Sequence, residues 1–135
     1  MPTRTDIIDF LAHEFPQNQC VVEEVGERSA TVSHPVGPAQ LRPGGTVSGP
    51  LLMGVADVAL YVAILATIGL VPLAVTTSLN INFLRKPSPR NPIVGVCKLI
   101  KVGRILVVGE VALYSDRSEE MVAHAVGTYS IPPNR

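Results

Sequence analysis

The residues best able to do chemistry in this chain of 135 residues lie in one segment, Leu41 to Gly69, where a glycine-rich turn runs into a long apolar stretch holding a single acid, Asp57. A carboxylate buried on an apolar helix is costly unless it is hydrogen-bonded or paired, so Asp57 reads either as a satisfied structural contact or as a group kept for chemistry. At the head of the segment Ser48 can cap a helix through its hydroxyl, Gly49 leaves a backbone N–H with no helical acceptor, and Pro50 suits the first turn. The other polar candidates are weaker. His34 has no second ligand nearby, and His124 has no local acid to orient it, so both read as structural.

These groups need a frame. From Leu51 to Ile68 the side chains are apolar on nearly every face, which predicts a helix starting near Gly49 and enclosed by other structure. Its length also suits a membrane span, but Asp57 at mid-span, the breakers Gly69 and Pro72 and the many small residues argue against one. Upstream, Thr3 or Thr5 can cap a short helix carrying Ile7, Ile8, Leu11 and Phe15, which ends at Pro16 and serves as a brace or lid. Cys20 to Val25 and Ser29 to His34 predict a hairpin around Gly26-Glu27-Arg28.

Downstream the period changes to two. Val75, Thr77, Leu79, Ile81 and Phe83 share one face of a strand, and Thr76, Ser78, Asn80 and Asn82 share the other. Strands over Pro92 to Val102, Ile105 to Tyr114 and Met121 to Ile131 follow, separated by short turns at Gly103-Arg104 and Ser115 to Glu120. The order predicts one α+β domain over 1–135, a curved antiparallel sheet of five to six strands wrapped around a long central helix. One sheet cannot cover a helix that is apolar all round, so a homodimer is expected.

The motifs GGTVSGPLLMGVAD at Gly44 to Asp57, SLNINFLRKP at Ser78 to Pro87 and AHAVGTYSIP at Ala123 to Pro132 together resemble the hotdog-fold acyl-CoA thioesterases, in particular the PaaI-like, phenylacetate-degradation branch. That branch typically carries an Asn, a His-Gly-Gly six residues later, and a catalytic acid eight residues after the first of those glycines. Gly49 and Asp57 stand at that spacing, while Arg42 replaces the Asn, Ser48 the His and Pro50 the second Gly. The resemblance implies the hotdog fold and hydrolysis of a medium-chain or aryl-acetyl-CoA, with Gly49 N–H as oxyanion donor and Asp57 as base or nucleophile. It further implies a hydroxyl at Thr76 that orients water or acid, with Ser48 capping the helix or bonding the thioester or water.

Eight residues of helix rise about 12 Å, so Gly49 and Asp57 of one chain cannot both touch one thioester carbon. If both work in one site they come from different subunits, which makes the homodimer a requirement; a homotetramer is the expected further assembly.

Coenzyme A, part of the substrate and not a cofactor, needs cations for its phosphates. Arg42, Arg85, Lys86 and Arg104, with the Gly103 turn, are the residues expected there, and Arg90 and Lys101 lie close by in sequence. Leu51, Leu52, Val55, Tyr61 and Phe83 are the expected lining of an acyl tunnel.

Two alternatives remain, a non-catalytic acyl-CoA-binding protein and a hydroxyacyl-thioester hydratase or dehydratase, the latter needing a catalytic His motif that does not occur. With no net formal charge, no Trp, and three each of Phe and Tyr, the chain offers no platform for nucleic acid. Cys20 and Cys97 make no metal spacing, and no signal peptide opens the chain, so a reduced, cytoplasmic protein without a metal is expected.

Overall fold

Ser48 starts the long helix as its chemistry dictates. In the computed structural model, which describes residues 1–133, Ser48 is extended (φ −72°, ψ 144°) and its hydroxyl accepts from Leu51 N–H at 3.2 Å. Helix α2 then runs over Gly49–Ile68 and stops at Gly69, whose φ of 113° is open to glycine at little cost. A first helix, α1 (Arg4–Glu14), is closed at its head by a reciprocal bond pair between Thr3 and Asp6.

Six strands form one antiparallel sheet: β1 (Val21–Gly26), β2 (Ser29–His34), β5 (Val75–Phe83), β6 (Ile93–Val102), β7 (Leu106–Ser115) and β8 (Met121–Ser130). Their spatial order is β1-β2-β6-β7-β8-β5. This is the α+β hotdog arrangement expected from the sequence, a sheet curling round a central helix. The segment between β2 and α2, read as a plain turn, holds more: a short 3₁₀ turn at Pro38–Gln40 and a ribbon of β3 (Leu41–Arg42) with β4 (Thr46–Val47). Gly44 and Gly45, at φ 91° and 75°, make the ribbon's bend.

Glycines let the sheet approach the helix. Gly109 and Gly127 face each other on β7 and β8, and Leu60 of α2 sits over both. A Cβ at Gly127 would stand 2.5 Å from Leu60 Cδ1, and one at Gly109 2.7 Å from Leu60 Cδ2. Gly127→Val is therefore expected to cost about 1–3 kcal/mol through overpacking, read as a lower midpoint in urea denaturation.

The helix is not enclosed on all sides within one protomer. Leu52, Val55, Ala56, Ala59, Leu60, Val62, Ala63, Ile64 and Leu65 are buried. Pro50, Met53 and Gly54 are exposed, and Asp57, Val58 and Tyr61 are partly so. These six residues recur at helical spacing and form a stripe, so Asp57 sits at the border of the core and not within it.

Strand β5 is an outer strand of the sheet, and its alternation is broken once. Thr76 pairs with Tyr129, but Ser78 pairs with Thr128, which leaves Thr77 as an extra residue. This bulge reverses the expected facing of Thr76, turning its side chain toward α2 while Ser78, Asn80 and Asn82 stay on the outer face.

Candidate active site

Asp57 is the centre of a polar cluster that three elements build. Thr76 on β5 donates its hydroxyl to Asp57 Oδ1 at 2.6 Å, and Tyr129 on β8 lies 2.6 Å from the same oxygen and 3.0 Å from the Asp57 backbone carbonyl. Oδ2 accepts no hydrogen bond among the described residues. The Tyr129 ring is buried and stacks on Tyr61 of α2, centroids 6.2 Å apart and planes 20° from parallel. Tyr61 in turn donates to Pro72 O at 3.2 Å.

Burial, and then the Asp57 charge beside it, hold the Tyr129 phenol well above the usual tyrosine range, so it stays a donor at any physiological pH. Burial and the Glu14 charge push Tyr61 up in the same direction. An open cavity of about 430 Å³ fronts the cluster, walled by Glu14 and Phe15 at the end of α1, by Asp57 and Tyr61, and by Pro72 to Thr76. The short first helix thus acts as a brace and as one wall of the Asp57 cavity.

Gly49 belongs to a different cavity. A space of about 420 Å³ at the head of α2 is lined by Arg42, Thr46, Gly49, Leu52, Phe83 and Lys86 among others, and shares no residue with the first. The Phe83 ring lies over Gly49, 3.4 Å from where a Cβ would stand. The Gly49 N–H has no acceptor among the described residues. Ser48 is spent on the cap, and its replacement by Ala is expected to cost about 1 kcal/mol of stability, measured by urea denaturation.

The remaining expected residues divide between these places. Arg42, carried by the ribbon, and Lys86 are exposed beside Gly49. Arg85 lines the same cavity but is already engaged: it pairs with Glu120, and its Nε donates to Met121 O at 3.0 Å. Gly103 and Arg104 form the β6–β7 hairpin and enter neither cavity. They close the end of the sheet where Val102, Val107, Tyr129 and Thr76 line up across four strands.

The expected tunnel is also split. Tyr61 faces the Asp57 cavity, Leu52 and Phe83 the Gly49 cavity, and Leu51 and Val55 a third hollow beside Gln17 to Cys20 and His34. His34 and His124 stand apart from Asp57. His34 Nδ1 lies 2.6 Å from Pro35 O, and His124, contrary to expectation, does have an acid near it: Glu110 stands 3.8 Å away.

Tyr129 lies inside the AHAVGTYSIP motif but was given no role there, because nothing in a run of small strand residues tells which side chain reaches Asp57. Its register opposite Thr76, created by the bulge, is what gives it a role.

A model of the thioesterase superfamily matches residues 44–122. Among solved structures the chain is similar to a candidate thioesterase of Silicibacter sp. TM1040, at 38% identity over 97% of this chain and 92% of that one, with a TM-score of 0.89. Zebrafish thioesterase superfamily member 2 matches at 17% identity over 98% and 100% of the two chains, with a TM-score of 0.86. The PaaI protein of the E. coli phenylacetic acid degradation operon matches at 19% identity over 94% of both, with a TM-score of 0.78. The last two likenesses speak to the fold. No match was found among curated proteins.

Proposed function

Because the chain belongs to the thioesterase superfamily, we propose that it hydrolyses acyl-CoA thioesters to the free acid and coenzyme A, at two equivalent sites each shared by the two protomers of a homodimer. Membership makes it a thioester hydrolase. The observation that carries the finer reading is the division of the polar groups into two separate cavities, an acid near the middle of α2 and a free N–H at its head.

Strand β5 supplies the means of joining them. It is an outer strand with an unpaired edge, and Val75, Phe83 and Leu84 on or beside it are each more than half exposed. A second β5 laid antiparallel about a two-fold axis near Leu79 and Asn80 would set Thr76 of one protomer opposite Phe83 of the other. The Asp57 cavity, bounded by Thr76, would then meet the partner's Gly49 cavity, bounded by Phe83.

In such a site Gly49 N–H, at the positive end of α2, would hold the thioester carbonyl oxygen as it gains negative charge. Asp57 Oδ2, the free oxygen, would take a proton from water as water attacks the acyl carbon, or would attack that carbon itself. In the first route the C–S bond breaks as the C–O bond to water forms, and the departing coenzyme A sulfur takes the proton held by Asp57; in the second the sulfur leaves as Asp57 bonds the acyl carbon, and water then cleaves that mixed anhydride, freeing the acid and Asp57 and supplying the thiol's proton. Arg42 and Lys86 beside Gly49, and Arg104 from the hairpin end of the other protomer, would face the phosphates of coenzyme A. Tyr61, Leu52 and Phe83 would contact a medium-chain or aryl-acetyl group. Two dimers would join as a tetramer through the outer sheet face bearing Ser78, Asn80 and Asn82.

No histidine lines the Asp57 cavity among the described residues, which favours hydrolysis over hydration of the acyl chain. The test is thiol release from straight-chain and phenylacetyl-CoA thioesters. The protein's own thiols do not confuse it: burial pushes Cys20 up to about 11, and burial with the Glu110 charge pushes Cys97 up to about 12, so neither forms thiolate near neutral pH. Turnover of any member of the panel supports the reading. Binding of acyl-CoA without thiol release would replace it with a binding protein.

A further inference from the structure

Tyr129 does more than fill space between β8 and α2. Its ring is buried against Tyr61, and a phenylalanine would pack there equally well. The hydroxyl is the costly part, since a buried O–H must find a partner. The Asp57 backbone carbonyl at 3.0 Å would satisfy it, yet the hydroxyl sits closer to the carboxylate, at 2.6 Å, the short range of a charge-assisted O–H···O⁻ bond. Thr76 Oγ1 reaches the same Oδ1 at the same distance from the neighbouring strand.

Two hydroxyls converging on one carboxylate oxygen have an evident consequence. A carboxylate can rotate about its last bond, and both oxygens of a free Asp are equivalent. With Oδ1 held from two sides, rotation is blocked and Oδ2 alone is presented to the cavity. The bulge at Thr77 is part of the device. Without the extra residue the ladder would turn Thr76 to the outer face of the sheet and leave Tyr129 as the one remaining donor.

Resting on the reading that Asp57 is the catalytic acid, we propose that Tyr129 is a positioning residue for it: with Thr76 it clamps Oδ1, so that Oδ2 is the reacting oxygen. The other titratable groups bordering this cavity are Glu14 on α1 and Tyr61 on α2, and neither has a hydrogen bond to Asp57.

The experiment uses the full chain and Tyr129→Phe, which deletes the hydroxyl alone. With the fold checked by circular dichroism, kcat is expected to fall about 10- to 100-fold while KM stays within about twofold, the scale of losing one hydrogen bond to a charged group. A merely structural tyrosine would lower the melting temperature and leave kcat in place, and that result overturns the proposal.

A second readout needs no turnover. The ¹³C carboxyl resonance of Asp57 at neutral pH should differ between Tyr129→Phe and the wild type, because the carboxylate loses one of its two donors, and an unchanged resonance overturns the clamp even if no thioester is hydrolysed. If Tyr129→Phe does not fold, the ring Cζ resonance of Tyr129 in the wild type decides. A change in it when Asp57→Ala removes the carboxylate supports the proposal, and indifference to that removal overturns it. Absence of thiol release by the wild type would count against the thioesterase reading and leave these two resonances to judge the clamp.

Discussion

Asp57→Asn is expected to lower kcat by about 10²- to 10⁴-fold, the range that a positioned acid–base group supplies, with little change in stability. The amide is close to the carboxylate in shape, and its oxygen can still accept from Thr76 and Tyr129, so the cluster around it stays satisfied. What disappears is the charge and basicity of Oδ2. Asp57→Ala should be as inactive. It leaves the Tyr129 hydroxyl with the Asp57 backbone carbonyl 3.0 Å away, so a buried donor is not orphaned and the protein should fold.

Steady-state thiol release measures the loss, and thermal melting of both variants separates it from unfolding. Turnover near the wild-type rate in folded Asp57→Asn and Asp57→Ala would remove Asp57 from the mechanism. Single turnover of the wild type in H₂¹⁸O then tests for the covalent route. Label found in the Asp57 carboxylate marks a covalent acyl-enzyme opened at the Asp57 carbon. Label confined to the product acid fits water activated by Asp57 acting as a base, and equally an acyl-enzyme opened at its acyl carbon.

Much of this arrangement was legible from residue types and spacing. The cap, free N–H and first-turn proline at Ser48, Gly49 and Pro50 follow from which groups a helix start leaves unpaired, and the structure has them in place. The long strands were legible because apolar side chains alternate along them. What alternation cannot show is where it slips. Thr76-Thr77 offers no Gly or Pro to announce a bulge, so period two placed Thr76 on the outer face, and the ladder reverses it.

The burial of Asp57 was misjudged for a related reason. Apolar residues on all sides of a helix do not say what covers each side, and this chain by itself leaves a stripe from Pro50 to Tyr61 uncovered. The cations were visible as a cluster in sequence, but not that Arg85 is already paired with Glu120 while Arg42 and Lys86 remain beside Gly49. Pairing of long surface side chains depends on where distant turns end up, and the β7–β8 turn that brings Glu120 lies far along the chain.

Restored activity in a mixture of two dead proteins is the strongest result expected of the shared site. Gly49→Pro removes one N–H and little else. Ser48, at φ −72° and ψ 144°, already has the backbone that a following proline requires, and the first helical position is where proline is best tolerated. Added ring atoms face Phe83, whose side chain is half exposed and free to yield. Alone, this variant should lose on the order of 10²- to 10³-fold in kcat, as when one oxyanion donor is removed.

Asp57→Ala is dead for the other reason. After equal amounts are mixed and allowed to exchange subunits, half of the dimers are mixed, and in each of those one site pairs an intact Gly49 with an intact Asp57. The mixture should therefore regain about a quarter of the wild-type activity, since one site in two is whole in half of the dimers. A site built within a single chain allows no such rescue, because every protomer in the mixture carries a lesion. Mixed dimers, verified by mass spectrometry, that stay as inactive as their parents would return both half-sites to one chain. The rise of ~12 Å between Gly49 and Asp57 along α2 makes that outcome hard to reconcile with a single reacting carbon.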